Sequence, residues 1–183
     1  MLEAIIIKLV ASLTGYLFEG FLDSTKSINV EGAPSWYGKD LGDKNLYSYG
    51  YSKGGMESIE ISKDNCRVAM IKKIDGLIEV VVYDNFRNIS DPNEVELINK
   101  FKTDSNTGVF VTKNMKFDKI EHFEEQKDSL QSKYRPAQTF AGGMIPKQVV
   151  LDYQKERLQK IKYEITHFRR KNLENELEAE TAK

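Results

Sequence analysis

Three residue types are scarce in this chain, and each scarcity removes a class of function. A single cysteine, Cys66, cannot build an internal disulfide framework or a cysteine-only zinc site. The two histidines, His122 and His167, have no HExxH-type partner, and Cys66 sits in no local signature of a catalytic thiol, so it reads as a small buried hydrophobe. Adjacent acids such as Glu124 and Glu125 would point to opposite faces of a strand rather than share a site. Neither sign of charge dominates: 27 basic and 28 acidic residues give a formal net charge of −1. The chain therefore lacks the basic excess of a dedicated nucleic-acid binder. With four prolines and no low-complexity stretch, it is not a disordered polymer either. A phosphate loop is missing too. "YSKGGMES" matches neither GxGxxG nor GxxxxGK[ST], and Gly54 and Gly55 read as a turn. No catalytic, metal-binding or cofactor-binding constellation is expected.

The most apolar segment opens the chain. In "LEAIIIKLVASLTGYLFEGFLD" no basic residue precedes the apolar run, unlike a signal peptide, and Lys8 and Glu19 interrupt the ~20 apolar residues of an ordinary membrane span. On a helix, Lys8, Ser12, Gly15, Glu19 and Asp23 form one narrow polar stripe. Ile5, Ile6, Leu9, Val10, Leu13, Leu17 and Phe21 cover most of the remaining circumference. Residues 1 to 24 thus make a helix that seeks burial on nearly all sides, as a signal-anchor, a docked or interfacial helix, or a core helix.

Residues 25 to 145 read as an α+β core, a small antiparallel sheet packed on long helices. "INVEGAPSWYGKD" is an extended lead-in with turns at Gly32 and Gly38, and "NLYSYGYS" alternates Leu46, Ser48 and Gly50 against Tyr47, Tyr49 and Tyr51 with the period of a strand. Met70, Ile71, Ile74, Leu77, Ile78, Val81 and Val82 fall at helical spacing, which predicts one helix from about Met56 to Asn88 with Gly76 inside it. The β-branched "VVVY" leaves open a shorter helix followed by a strand. Asp91 and Pro92 form an N-cap and first-turn pair for a second helix. "NMKFDKIEHFEE" and "SKYRPAQTFAGGM" predict a hairpin with a polar turn at 126 to 131, and Gly142 and Gly143 a bulge or close backbone approach.

From Pro146 onward, residues 146 to 183 form a long interaction helix free of glycine and further proline. Leu151, Leu158 and Ile165 lie seven apart, and Ile161 and Phe168 continue a second register, which predicts a coiled-coil-like protein interface. A helix of about 35 residues would be about 50 Å long, more than the preceding core can cover. Lys155, Arg157, Lys160, Lys162, Arg169, Arg170 and Lys171 alternate with acids and read as a solvated face.

The lead-in Gly32, Pro34 and Trp36, the strand residues Tyr49 and Gly50, and "AGGMIPKQVV" together resemble the small envelope lipoproteins of Campylobacterota, the Helicobacter surface-antigen lipoproteins and the flagellar basal-disk lipoprotein, over residues 30 to 165. Members carry a lipidated cysteine behind a signal peptide, and the resemblance does not extend to that anchor. It implies a non-enzymatic, periplasmic scaffold role. The partners would be other envelope or flagellar motor proteins, or further copies of the chain, with membrane contact through residues 1 to 24 and no nucleic acid. Two other roles fit the same residues: a secreted host-interacting protein, and a small-molecule carrier using Tyr47, Tyr49 and Tyr51.

Overall fold

A computed structural model describes residues 30 to 181 apart from positions 40, 43, 56, 104, 105 and 129 to 132. The apolar segment from Ile5 to Phe21, and with it the anchoring or docking role expected of it, lies outside the described residues. The elements follow in the order β1 (Asn45–Lys53), α1 (Ser58–Phe86), α2 (Pro92–Thr103), α3 (Asn106–Asn114), β2 (Lys116–Phe123), β3 (Gln126–Asp128), β4 (Lys133–Arg135), β5 (Gln138–Pro146) and α4 (Lys147–Thr181). The fold is α+β. β5 runs antiparallel to both neighbours in a three-stranded sheet of order β1-β5-β2, and β3 and β4 pair separately, prolonging the β2–β5 hairpin.

Strand periodicity sorts the sheet into two unlike faces. Leu46, Ser48, Gly50 and Ser52 of β1, in register with Ile145, Gly143, Ala141 and Thr139 of β5, turn toward α1. The first half of α1 meets them with equally small residues, Ser58, Ser62 and Cys66, all buried. A Cβ on Gly50 would lie 1.9 Å from the Ser62 carbonyl and 2.4 Å from the Cys66 nitrogen, so the helix backbone rests on the strand where only glycine leaves room. The polar groups trapped there are paired. Ser48 Oγ donates to Cys66 O at 2.8 Å, Cys66 Sγ donates to Ser48 O at 3.1 Å, and Ser52 Oγ donates to Ser58 O at 2.6 Å. Beyond Cys66 the same stripe switches to large side chains. Met70, Ile74, Leu77, Ile78 and Val82 form the main core with Ile98 and Phe101 of α2, Val111 of α3, and Val150, Ile161 and Ile165 of α4.

The opposite face is covered by the lead-in. Turns at Gly32 (φ 81°) and Gly38 (φ 76°) fold it back, so that the Trp36 ring lies 6.1 Å from that of Tyr49, and Tyr37 sits edge-on to the fully buried Phe140 at 5.1 Å. The Trp36 indole N–H donates to Glu121 of β2, and the Tyr49 hydroxyl to the carbonyl of Lys39.

"VVVY" is helical: Val81 and Val82 continue the buried stripe of α1, and that amphipathic match outweighs β-propensity. Asp91 caps α2 as expected, its Oδ1 accepting from Asn93 N at 2.8 Å. Unlike the expected loose stretch beyond Thr107, "NTGVFVTKN" forms α3. Its glycine and β-branched residues carry no helical signal, and its helicity comes from seating Thr107 and Val111 against α1. Gln126 to Asp128, expected in the turn, instead form β3 and pair with β4. The bulge is real but sits on β2, between Phe117 and Lys119, facing Gly143 and Gly142.

Gly50→Ala should destabilise the fold by about 3 kcal/mol or more, since rigid backbone opposes the added methyl. Gly143→Ala should cost less, about 1 kcal/mol, because its nearest obstacle is the mobile methyl end of Met115 at 2.2 Å. Urea unfolding of the two variants checks this, and equal losses would refute the assigned close approach.

Candidate functional site

The longest element, α4, is the candidate interaction surface, and its sequence explains both its length and its division in two. No glycine or proline interrupts its 35 residues. The proximal part is held by the body of the fold. Val150, Gln154, Arg157, Ile161 and Ile165 recur every three or four positions and are buried. Arg157, expected on the solvated face, lies instead beneath α2. Its Nη2 donates to the carbonyl of Phe101 at 2.7 Å, in the last turn of α2, and its guanidinium rests 4.4 Å from the Phe101 ring. A cation at a helix C-terminus satisfies an otherwise orphaned carbonyl and complements the helix dipole. One turn beyond Ile165, Arg169 grips the buried Glu94 of α2 through both carboxylate oxygens, at 2.7 and 2.8 Å. Beside this contact an open groove of about 400 Å³ runs between α2 and α4, floored by Leu97, Phe101, Ile161 and Ile165 and flanked by Lys160 and Glu164.

Past Arg169 every described residue of α4 is exposed. Twelve residues at 1.5 Å each carry the helix about 18 Å beyond the clamp. On this stalk Leu173 is 60% exposed and Leu177 is 57% exposed, one turn apart on one face. Arg170 and Glu174 pair across a turn at 3.0 Å.

The heptad seam divides differently from the sequence expectation. Ile161 and Ile165 are 2% and 4% exposed and belong to the chain's own core, while Leu151, Leu158 and Phe168 are half-buried. A seven-residue spacing describes a helix packed against its own α2 as well as one packed against a partner, which is why the seam closes inward. Leu173 and Leu177 were outside the expected interface set. Their four-residue spacing in "LENELEAE" is present in the sequence, but the acids around them mask it.

The remaining candidates lie apart from one another. Cys66 is fully buried, and burial pushes its thiol up to about 11, so it stays protonated and is a poor nucleophile. His122 Nδ1 lies 2.7 Å from Thr139 Oγ1, which lies 2.5 Å from Ser58 Oγ. The serine and threonine are buried, and this chain pins the start of α1 to β5. His167 is exposed on α4, its ring 6.2 Å from that of Tyr163. Of Tyr47, Tyr49 and Tyr51, the face a small-molecule carrier would use, Tyr47 is buried, and Tyr49 and Tyr51 pack against Trp36, Tyr37 and Phe140. Among the described residues, no group of three His, Cys, Asp or Glu side chains is arranged to hold a metal, and no helix is long and apolar enough to cross a membrane.

No family model, curated protein or solved structure matches the chain.

Cys66 generates a pH prediction. The folded thiol titrates near about 11 and the unfolded one near its ordinary value of 9.0, so stability is fully present below pH 9 and declines between the two. Cys66 should account for roughly 2–3 kcal/mol of the decline, so that Cys66→Ala loses less than wild type by that amount, as read from denaturant midpoints at pH 8 and pH 11. The Tyr37 hydroxyl, its pKa also raised by burial, contributes to the remainder. At pH 8 a thiol reagent should label Cys66 quickly only after unfolding, and rapid labelling of the native chain would contradict the burial.

Proposed function

We propose that this protein is a non-enzymatic scaffold component of a bacterial envelope assembly, an accessory part of the flagellar motor's periplasmic scaffold, that docks on a neighbouring protein through the distal third of α4. The observation that carries the docking role is the pair Leu173 and Leu177, both more than half exposed on a helical stalk clear of the body. Two leucines one turn apart on a straight helix supply the anchors of a helix-in-groove interaction, and the surrounding glutamates supply its polar rim. The clamp of Arg169 on Glu94 supports this reading, since it fixes the direction in which the stalk leaves the fold. The envelope and flagellar setting rests on the likeness of the Gly32–Pro34–Trp36 lead-in and of "AGGMIPKQVV" to the Campylobacterota lipoproteins.

L173D/L177D should leave the unfolding transition within about 0.5 kcal/mol of wild type, because the leucines contribute little to the chain's own core. It should also release the protein from its complex. Native gel mass in envelope extracts of the producing cell checks this: a large species for wild type and a small one for the variant are expected. The same mass for both would sink the docking role.

A further inference from the structure

A different surface carries an inference independent of α4. The sheet order β1-β5-β2 leaves two edges, and the fold treats them unequally. Along β1, side chains of α1 occupy backbone carbonyls: Lys73 Nζ donates to Tyr47 O at 2.8 Å, and Asn65 Nδ2 donates to Tyr51 O at 2.9 Å. Such cover blunts an edge. Along β2, no strand among the described residues pairs the outer side, and Ile120 and Phe123 are 42% and 40% exposed there. An uncovered edge offers a row of N–H and C=O groups to another strand.

The sequence of β2 specifies which strand fits. Read outward from Ile120 in both directions, "KFDKIEHFE" places Lys119 against Glu121, Asp118 against His122, Phe117 against Phe123 and Lys116 against Glu124. The strand is complementary to its own reverse. We propose that β2 pairs antiparallel with β2 of a second copy of the chain, about a two-fold axis at Ile120, joining two three-stranded sheets into one of six strands. In this register Ile120 meets Ile120, and Lys119 of each copy faces Glu121 of the other, so the central salt bridge forms twice. A parallel pairing would set Lys119 on Lys119 and Glu121 on Glu121, which is repulsive. The bulge between Phe117 and Lys119 breaks the pleat on one side, so the matched centre is short and the dimer is concentration-dependent rather than permanent. Glu121 already accepts the Trp36 indole N–H through Oε1, and a carboxylate retains capacity for a second donor.

The test is charge reversal on the full-length chain, read by light scattering across a concentration series. Wild type should move from monomer to dimer mass. K119E alone and E121K alone each set like charges opposite one another and should weaken the dimer by about tenfold or more. An equimolar mixture of the two variants should restore it, because each then meets the opposite charge, and a variant that merely misfolds is not rescued by mixing. L173D/L177D should keep the dimer, which separates this edge from the α4 stalk. A wild type that stays monomeric, a mixture that fails to recover dimer while both variants keep their unfolding transitions, or a dimer abolished by L173D/L177D would each overturn the proposal.

Discussion

The contact on which this fold turns is the seating of the α1 backbone on β1 at Gly50. At that point the distance between strand and helix is set by main-chain atoms, with no room for a Cβ. Everything facing the gap is correspondingly small: Ser48, Ser52, Ser58, Ser62, Cys66, Ala141 and Gly143. Close approach of this kind leaves polar atoms with no access to water, and the exchange of hydrogen bonds between Ser48 and Cys66 satisfies them. The near half of α1 lies flat on the sheet, and beyond Cys66 its larger side chains share one core with Leu46 and Ile145 of the sheet. The larger stripe from Met70 to Val82 then becomes the platform on which α2, α3 and α4 assemble.

The second layer has the opposite character. The lead-in covers the outer face of the sheet with broad aromatic rings around Phe140, which receives Tyr37, Tyr51 and Phe123 at centroid distances of 5.1, 5.1 and 5.9 Å. These rings bury a large area over a short length of chain, so a stretch without regular secondary structure can still close one side of a sheet. The consequence for function is negative for the tyrosine face and positive elsewhere. Aromatic surface that the sequence offers for binding is spent on the protein's own closure, and the two surfaces proposed for partners, both among the described residues, are the stalk of α4 and the edge of β2. The two differ in physics. The stalk presents side chains on a rigid rod, suited to a groove, whereas the edge presents backbone with charge as its selector.

The strand of alternating tyrosines, the helix from the late fifties to the late eighties, the cap at Asp91 and the long final helix were all legible in the amino-acid order, because each is encoded by local periodicity or by a terminal residue with one backbone role. Helix α3 was illegible for the converse reason: its residues prefer other conformations, and burial of Val111 overrides them. Periodicity revealed that α4 has an apolar seam but not what the seam touches, because own-chain and partner packing impose the same spacing. Arg157 shows the same limit for charge. The next residue before it, Glu156, is exposed, whereas the carbonyl and ring of Phe101, more than fifty residues away in the chain, meet the guanidinium inside.

By itself, then, the sequence determined the elements that local periodicity or a capping residue encodes, the scarcity of cysteine and histidine, and the self-complementary order of charges around Ile120. Tertiary structure alone decided which of these surfaces remain exposed. It turned Ile161 and Ile165 inward, left Leu173 and Leu177 out, and covered the β1 edge while no strand among the described residues pairs the outer side of β2. The physical reason is that propensity and periodicity act over a turn or a strand, whereas exposure depends on the arrival of residues distant in the chain, a packing outcome that no local pattern contains.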